Sequence, residues 1–450
     1  MAGTRRGKHT GKRRGKCGKR KAYSGGLREA ITALLPTQVL RLLPADGKIR
    51  WTTLLLTLCA VLMTWSNGAT LQDRFDAARR CLVRWYPGRR RPGGSYAGFM
   101  AALRGRSGWL AREVGRHYRG HVKTLAEARG QWSLGGWAAF GADSTKHDAP
   151  MTRANEARLG CASKPGSWPQ MVLTTVFHLG SGLPWAFLRG GARSSERRHL
   201  LGLLCTLPRW ALILADAGFT GYAFWRTIIA SDRSFLIRVG SNVRLIRGLG
   251  LKFQVGADGI VWVWPADQQK RRATPLPPRL ITLVDGRNRT MHLLTNVLEH
   301  ERLDDTLAAR LYPMRWGVEV MYRALKQTLA RRKLLSDSPR NARVELSWAM
   351  IGLWTLMLIK AQRCKPAGAA QQGVAAVLRV LRRAMSGDPF SLGKALAALE
   401  PDEYRRAGVK TARHWPHRKR PKPPDAPKAR NATEAEITLA TELEALQPAA

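Results

Sequence analysis

Acidic residues are scarce in this 450-residue sequence: 31 Asp and Glu stand against 76 Lys and Arg, and the formal net charge is +45. Residues 1–21, well ahead of the first acid, Glu29, carry ten Lys and Arg, and setting these aside still leaves +35 over the rest. A folded surface that positive calls for a polyanion. An Arg-rich codon usage raises the same count without a partner, but DNA or RNA stands ahead of an anionic membrane, because no amphipathic Lys-rich stripe is present. Cysteine is scarce too. Cys17, Cys59, Cys81, Cys161, Cys205 and Cys364 form neither a CxxC nor a Cys/His pair at ligand spacing. That excludes a zinc site and a disulfide framework, and a reducing interior is the expected compartment. Long apolar runs are missing as well. WTTLLLTLCAVLMTW (51–65) and LSWAMIGLWTLMLI (346–359) fall short of the roughly 20 residues that a bilayer needs, so both are expected as buried core helices. The basic N-terminus adjoins no apolar stretch ending in small residues, so no secretory signal is expected.

A hydrophobic content of 44% is ordinary for globular proteins, and the length suits two or three domains at about 150 residues each. Residues 1–26, all Gly, Lys and Arg in character, are expected to be a disordered basic tail. Apolar periodicity over 27–132, with Arg79, Arg80, Arg84, Arg89, Arg90 and Arg91, predicts a helical DNA-binding domain without an identifiable helix-turn-helix. Residues 133–242 alternate strand and helix patterns. GGWAAFGAD is predicted as a strand ending at Asp143, and 171–190 as a hairpin turned at Gly180-Ser181-Gly182. A helix then starts near Ser195 and Glu196, and ALILAD is a buried strand ending at Asp216. The result is an α/β pattern with a mixed sheet. Residues 243–299 read as a β-rich insertion, 300–363 as helices, 364–410 as a helical C-terminal region and 411–450 as a flexible tail.

LYPMRWGVEVMYRALKQTLARRK (311–333) is the most informative segment. Pro313 suits the opening turn of a helix. At 100° per residue, Arg315, Glu319, Tyr322 and Lys326 share one face beside an apolar stripe of Val318, Met321, Leu325 and Leu329. An ordinary surface helix with an Arg315–Glu319 pair at i,i+4 has the same pattern. Asp143 and Asp216, each ending a predicted strand, shift the balance, since reactive groups collect at the carboxyl ends of strands in open α/β sheets. Either aspartate could instead be a turn residue. Together, two strand-end aspartates and a helix-borne glutamate form the oxygen ligand set that two-metal phosphoryl transfer needs.

Tyr312, Arg315, Glu319 and Lys326 stand at the spacing Y-x2-R-x3-E-x6-K, which is similar to the YREK signature of bacterial insertion-sequence DDE transposases of family four. ADST at Asp143, LADAGF at Asp216 and LLTN at 293–296 resemble that family too. The resemblance implies a ribonuclease H-like catalytic core, a mixed sheet flanked by helices, built from 133–242 and 300–363 around the insertion. It implies Asp143, Asp216 and Glu319 as catalytic metal ligands, two Mg²⁺ ions for which Mn²⁺ can substitute, and Tyr312, Arg315 and Lys326 as DNA contacts. The implied partners are double-stranded DNA, as transposon ends and target, and a second copy of the chain once assembled on DNA. No membrane is expected, and the implied location is the bacterial cytoplasm, in association with the nucleoid. Ser144 stands where the family often has glycine, which leaves Asp148 as an alternative to Asp143; Asp232 is a rival to Asp216. Trp262 and Trp264 could stack on an extruded base or simply belong to a half-buried strand. Other readings of the same core are a domesticated nuclease without integration activity and an inactive DNA-binding relic.

Overall fold

The structure is a computed structural model that describes residues 26–41, 50–88, 91–161, 166–251, 259–284, 290–364, 373–400 and 426–446. The tail expected over 1–26, Gly26 excepted, lies outside the described residues, as do Arg89, Arg90 and the basic run at 413–424.

The N-terminal part is helical: α1 (Leu27–Thr32), α2 (Thr37–Arg41), α3 (Thr53–Trp65), α4 (Leu71–Trp85) and α5 (Tyr96–Ala128). Thr52 caps α3 by accepting from the Leu55 N–H, and Thr70 and Asp73 form a reciprocal capping box on α4. Every residue of α3 is buried. Thr57 and Thr64 tolerate this because their hydroxyls return to main-chain carbonyls, Thr57 to Thr53 at 2.9 Å and Thr64 to Ala60 at 3.1 Å.

The middle of the chain forms β1 (Ala138–Asp148), α6 (Arg153–Leu159), β2 (Gln170–His178), β3 (Leu183–Gly191), α7 (Glu196–Leu203), β4 (Ala211–Ala215), α8 (Tyr222–Ile229), β5 (Ser234–Val239), β6 (Arg244–Arg247), α9 (Ala266–Lys270), β7 (Arg279–Val284) and β8 (Thr290–Thr295). Seven strands make one mixed sheet in the order β3-β2-β1-β4-β5-β8-β7. The β1–β4 and β4–β5 pairs are parallel, joined through α7 and α8, and the others are antiparallel. Gly180 is required in the β2–β3 turn: a Cβ there would stand 1.9 Å from the Gln131 carbonyl oxygen. This is a mixed sheet flanked by helices, as the alternating strand and helix pattern predicts.

Two boundaries differ from expectation. The strand predicted to end at Asp143 continues to Asp148, because after β1 leaves β4 at Gly141↔Leu214 it stays paired with β2 as far as Asp148↔Gln170. Within the segment predicted as a β-rich insertion, β7 and β8 extend the main sheet, since β8 pairs antiparallel with β5 from Leu236↔Thr295 to Val239↔His292.

Past the sheet come α10 (Asp305–Leu311), a 3₁₀ turn (Tyr312–Arg315), α11 (Trp316–Arg323) and a π-helical turn (Ala324–Thr328). The expected single helix over 311–333 is thus broken, with Pro313 inside the 3₁₀ turn rather than opening an α-helix. The C-terminal helices are α12 (Pro339–Arg363), α13 (Val374–Ser386) and α14 (Leu392–Ala397). The helix α12 is long and apolar enough to cross a membrane, yet 83% of its most apolar window is buried inside the protein. It packs on α3 and α5, where Trp65 Nε1 donates to the Gly352 carbonyl at 2.9 Å and the Tyr118 and Thr355 hydroxyls meet at 2.7 Å. One continuous hydrophobic core therefore joins the N-terminal helices, the sheet and α12.

The tail expected to be flexible over 411–450 is folded within 426–446: β9 (Lys428–Asn431) pairs parallel with β6, and α15 (Glu434–Ala445) follows. The drive is apolar, since Ala440 and Leu443 close a small separate core with Ile246, Leu249, Leu251, Trp262 and Trp264. Both tryptophans are buried in this small core rather than in a half-buried strand, Trp262 at an isolated bridge to Ile246, and Trp264 Nε1 donates to the Ala273 carbonyl at 2.7 Å, which leaves neither face free for base stacking.

Candidate active site

Parallel pairing of β1 and β4 ends at Gly141↔Leu214, and Asp143 and Asp216 each lie two residues further on, side by side at the carboxyl end of the parallel strands. Residues two apart on a strand share a face. On Asp143's face of β1, a Cβ at Gly141 would stand 2.9 Å from Val318 and 3.6 Å from the Arg315 Cα, so Asp143 faces the α11 layer. Asp216 directly follows the fully buried ALILA of β4 and turns the chain, its Oδ1 accepting the Gly218 N–H at 2.9 Å. The turn-residue reading and the site position coexist there.

Glu319 enters from α11, held by Arg315 Nη2 at 3.1 Å. Arg315 is the more buried partner, with 14% of its side chain exposed against 31% for Glu319. Burial pushes the Asp143 carboxyl up to about 6; the Ser144 N–H and Arg315 pull it down, while Asp216 and Glu319 push it up further. Asp143 therefore lies within reach of the charge of both other acids. Lys326, in the π-helical turn, is depressed by burial and by Arg332, and feels Asp148 and Asp143 in the other direction.

Tyr312 is placed differently from expectation. Its phenol is buried and donates to the Ala215 carbonyl at 3.2 Å, beside Asp216, so its one donor is committed inside the protein rather than offered to a DNA strand. Tyr322 has the same supporting part, its hydroxyl 2.7 Å from the Asp143 carbonyl oxygen.

The rival aspartates lie elsewhere. Asp148 accepts from Gln170 Nε2 at 2.9 Å, and its carbonyl accepts the Leu334 N–H at 2.7 Å, a structural fixture at the far end of β1. Asp232 pairs with exposed Arg209 at 3.3 Å at the opposite end of the parallel strands.

Glu196 was missed in the sequence, where it reads as a first-turn helix acid. It does occupy the first turn of α7, which Ser195 caps. Glu196 Oε1 stands 2.7 Å and Asp216 Oδ1 3.1 Å from the point where a Cβ on Gly218 would lie. Burial raises the Glu196 carboxyl and Asp216 raises it further, while the Ser144 hydroxyl opposes. The usable signal was an acid at the first residue of the helix that feeds β4, in a chain poor in acids.

As a donor set, these carboxylates suit a hard divalent cation: all ligands are oxygens, and like charges gather where a positive ion would relieve them. Among the described residues, however, no three His, Cys, Asp or Glu side chains stand as a closed metal-ligating group.

Residues 140–355 match the family model described as Transposase DDE domain. Over that stretch, just under half of its length, the chain is similar to DDE transposase domains. Two relatives carry the same description further. The transposase for insertion sequence element IS4 of Escherichia coli is 27% identical over 220 residues, 47% of each chain. A Sinorhizobium fredii protein named as a candidate transposase is 29% identical over 170 residues, 36% of this chain and 46% of the relative. The matches thus span less than half the length of these relatives. Among solved structures, a piggyBac transposase synaptic complex with hairpin DNA aligns over 84% of this chain and 81% of its own, at 11% identity and a TM-score of 0.40. Domains of this family are metal-dependent polynucleotidyl transferases.

Proposed function

We propose that this protein is a transposase that nicks double-stranded DNA at transposon ends and joins the resulting 3′-hydroxyl to target DNA. Asp143, Asp216 and Glu319 hold two Mg²⁺ ions, with Mn²⁺ able to substitute. Such ions, when bound, supply an activated water and stabilisation of the leaving oxygen. The single observation that carries this is the juxtaposition of Asp143 and Asp216 across the β1–β4 seam, with Glu319 held by Arg315 in the helical layer that Asp143 faces.

The chain's own residues divide the remaining work. Arg315 keeps Glu319 in place, and its Nε is buried without a partner, a donor left over for a phosphate oxygen. Lys326 adds a half-buried cation near Asp143 for a strand-end phosphate. Tyr312 and Tyr322 fix the main chain beside Asp216 and Asp143 and so set where the carboxylates stand. Two copies assemble on paired ends, and the work is done at the bacterial nucleoid.

The test is nicking and joining of supercoiled DNA that carries the sequences flanking the gene. Asp143→Ala, Asp216→Ala and Glu319→Ala are each expected to abolish nicking in Mg²⁺ while DNA binding survives. Retained cutting by any one of them removes that residue from the mechanism, and nicking without strand-transfer products removes the joining step.

A further inference from the structure

All the DNA contacts assigned so far lie on one side of the sheet, the α11 side. Ser144 and Lys146 alternate with Asp143 and so point to the other face. There the Ser144 hydroxyl meets Thr174 at 2.8 Å, and Thr174 meets His199 of α7 at 2.9 Å. Above this chain of contacts is an open cavity lined by Ser144, Lys146, Arg193, Ser194, Ser195 and Arg197. Arg197 is anchored by Nη1 donating to the Thr220 carbonyl at 2.5 Å. Lys146 and Arg193 are exposed, and the ion pairs among the described residues include neither. Three cations and several hydroxyls thus face one acid, Glu196, which lies on the wall toward Asp216.

We infer that this α7-side cavity binds a backbone phosphate of the DNA strand next to the one that is cut. The strand then crosses the carboxyl edge of the sheet, from Arg315 and Lys326 on one face to Lys146 and Arg193 on the other, with the reacting phosphate over Asp143 and Asp216 between them. The chemistry fits: hydroxyls and unpaired cations are the groups that grip phosphate oxygens, and the three carboxylates at the crest repel every phosphate not neutralised on a flank. This rests on the DNA-cleaving reading of those carboxylates.

The test is the salt dependence of binding by the full chain, without divalent ions, to a duplex taken from the DNA flanking the gene. Lys146→Ala and Arg193→Ala are each expected to make the slope of log affinity against log salt shallower by about 1. Lys146→Arg is expected to keep the parental slope, and so is Arg209→Ala at the opposite end of β4. An unchanged slope in both Lys146→Ala and Arg193→Ala overturns the inference, as does an equal change in Arg209→Ala. Thermal stabilisation by inorganic phosphate that depends on Lys146, without any change in the DNA slope, overturns it too, because the occupant is then a free anion. Since no cutting is required, altered slopes in a chain that never nicks leave this site standing and remove the proposed function instead.

Discussion

Two shielded carboxylates in this protein are treated in opposite ways. Glu436, at the start of α15, receives both Arg430 guanidinium nitrogens at 2.6 and 2.7 Å, the Thr433 N–H at 3.0 Å and Gln269 at 2.9 Å. Those bonds, the Arg430 pair first, hold it down at about 2. Asp143 is pushed up to about 6 by burial and lies among further acids, with Arg315 its nearest cationic relief. The first arrangement is what stability asks of a shielded acid: enough donors to replace water. The second leaves charge unrelieved and is the condition of a group kept for a ligand. In a chain with 31 acids among 450 residues, gathering Asp143, Asp216, Glu319 and Glu196 at one sheet edge opposes folding and serves only what binds there.

The largest expected effect lies on the unrelieved side. Asp143→Asn is expected to cut DNA nicking on the order of 10³-fold, about 4 kcal/mol of barrier, with thermal stability unchanged or raised. Glu436→Gln is expected to do the reverse, costing about 2 kcal/mol of stability through its lost charge-assisted bonds while nicking persists. Denaturant unfolding and plasmid nicking on both variants give the comparison directly; loss of cutting in both would erase the distinction.

A smaller effect follows from pH in the metal-free protein. The folded-state Asp143 value of about 6 lies above the unfolded value near 3.9, so the native state holds more protons in that window and stability falls as pH rises through it. For Glu436 the folded value of about 2 lies below the unfolded value near 4.3, so its contribution is present above that range and is lost as pH falls toward 2. Melting curves in a chelator are expected to show Asp143→Asn flattening the first slope and Glu436→Gln the second; an unchanged slope in either removes that assignment. The smallest effect is Tyr322→Phe, which removes the 2.7 Å bond to the Asp143 carbonyl and is expected to cost about 1 kcal/mol with a modest fall in nicking.

The contrast also marks what could be read before any coordinates. ALILAD showed its strand and the acid after it because β4 is buried on both faces and reads as a continuous apolar run. Glu319 was legible through its spacing to Tyr312, Arg315 and Lys326. The second half of β1 was not, since STKHD is polar and is held by pairing with β2 that no local pattern reveals. The break at Tyr312–Arg315 was hidden because a 3₁₀ turn, an α-helix and a π turn in succession keep a helical apolar rhythm. The Thr433–Glu436 capping box was a legible start signal for α15, overlooked because the acidic composition around it suggested a tail. Glu196 looked like a helix-start acid, and only the fold sets it against Asp216.

The central claim is that Asp143, Asp216 and Glu319 share one divalent-cation site. The most direct measurement is the melting temperature of the full chain titrated with Mg²⁺ and Mn²⁺. A saturable rise is expected in the parent and in Glu436→Gln, and is expected to vanish in Asp143→Asn, Asp216→Asn and Glu319→Gln alike. No rise in the parent, or an undiminished rise in any of those three variants, would contradict it.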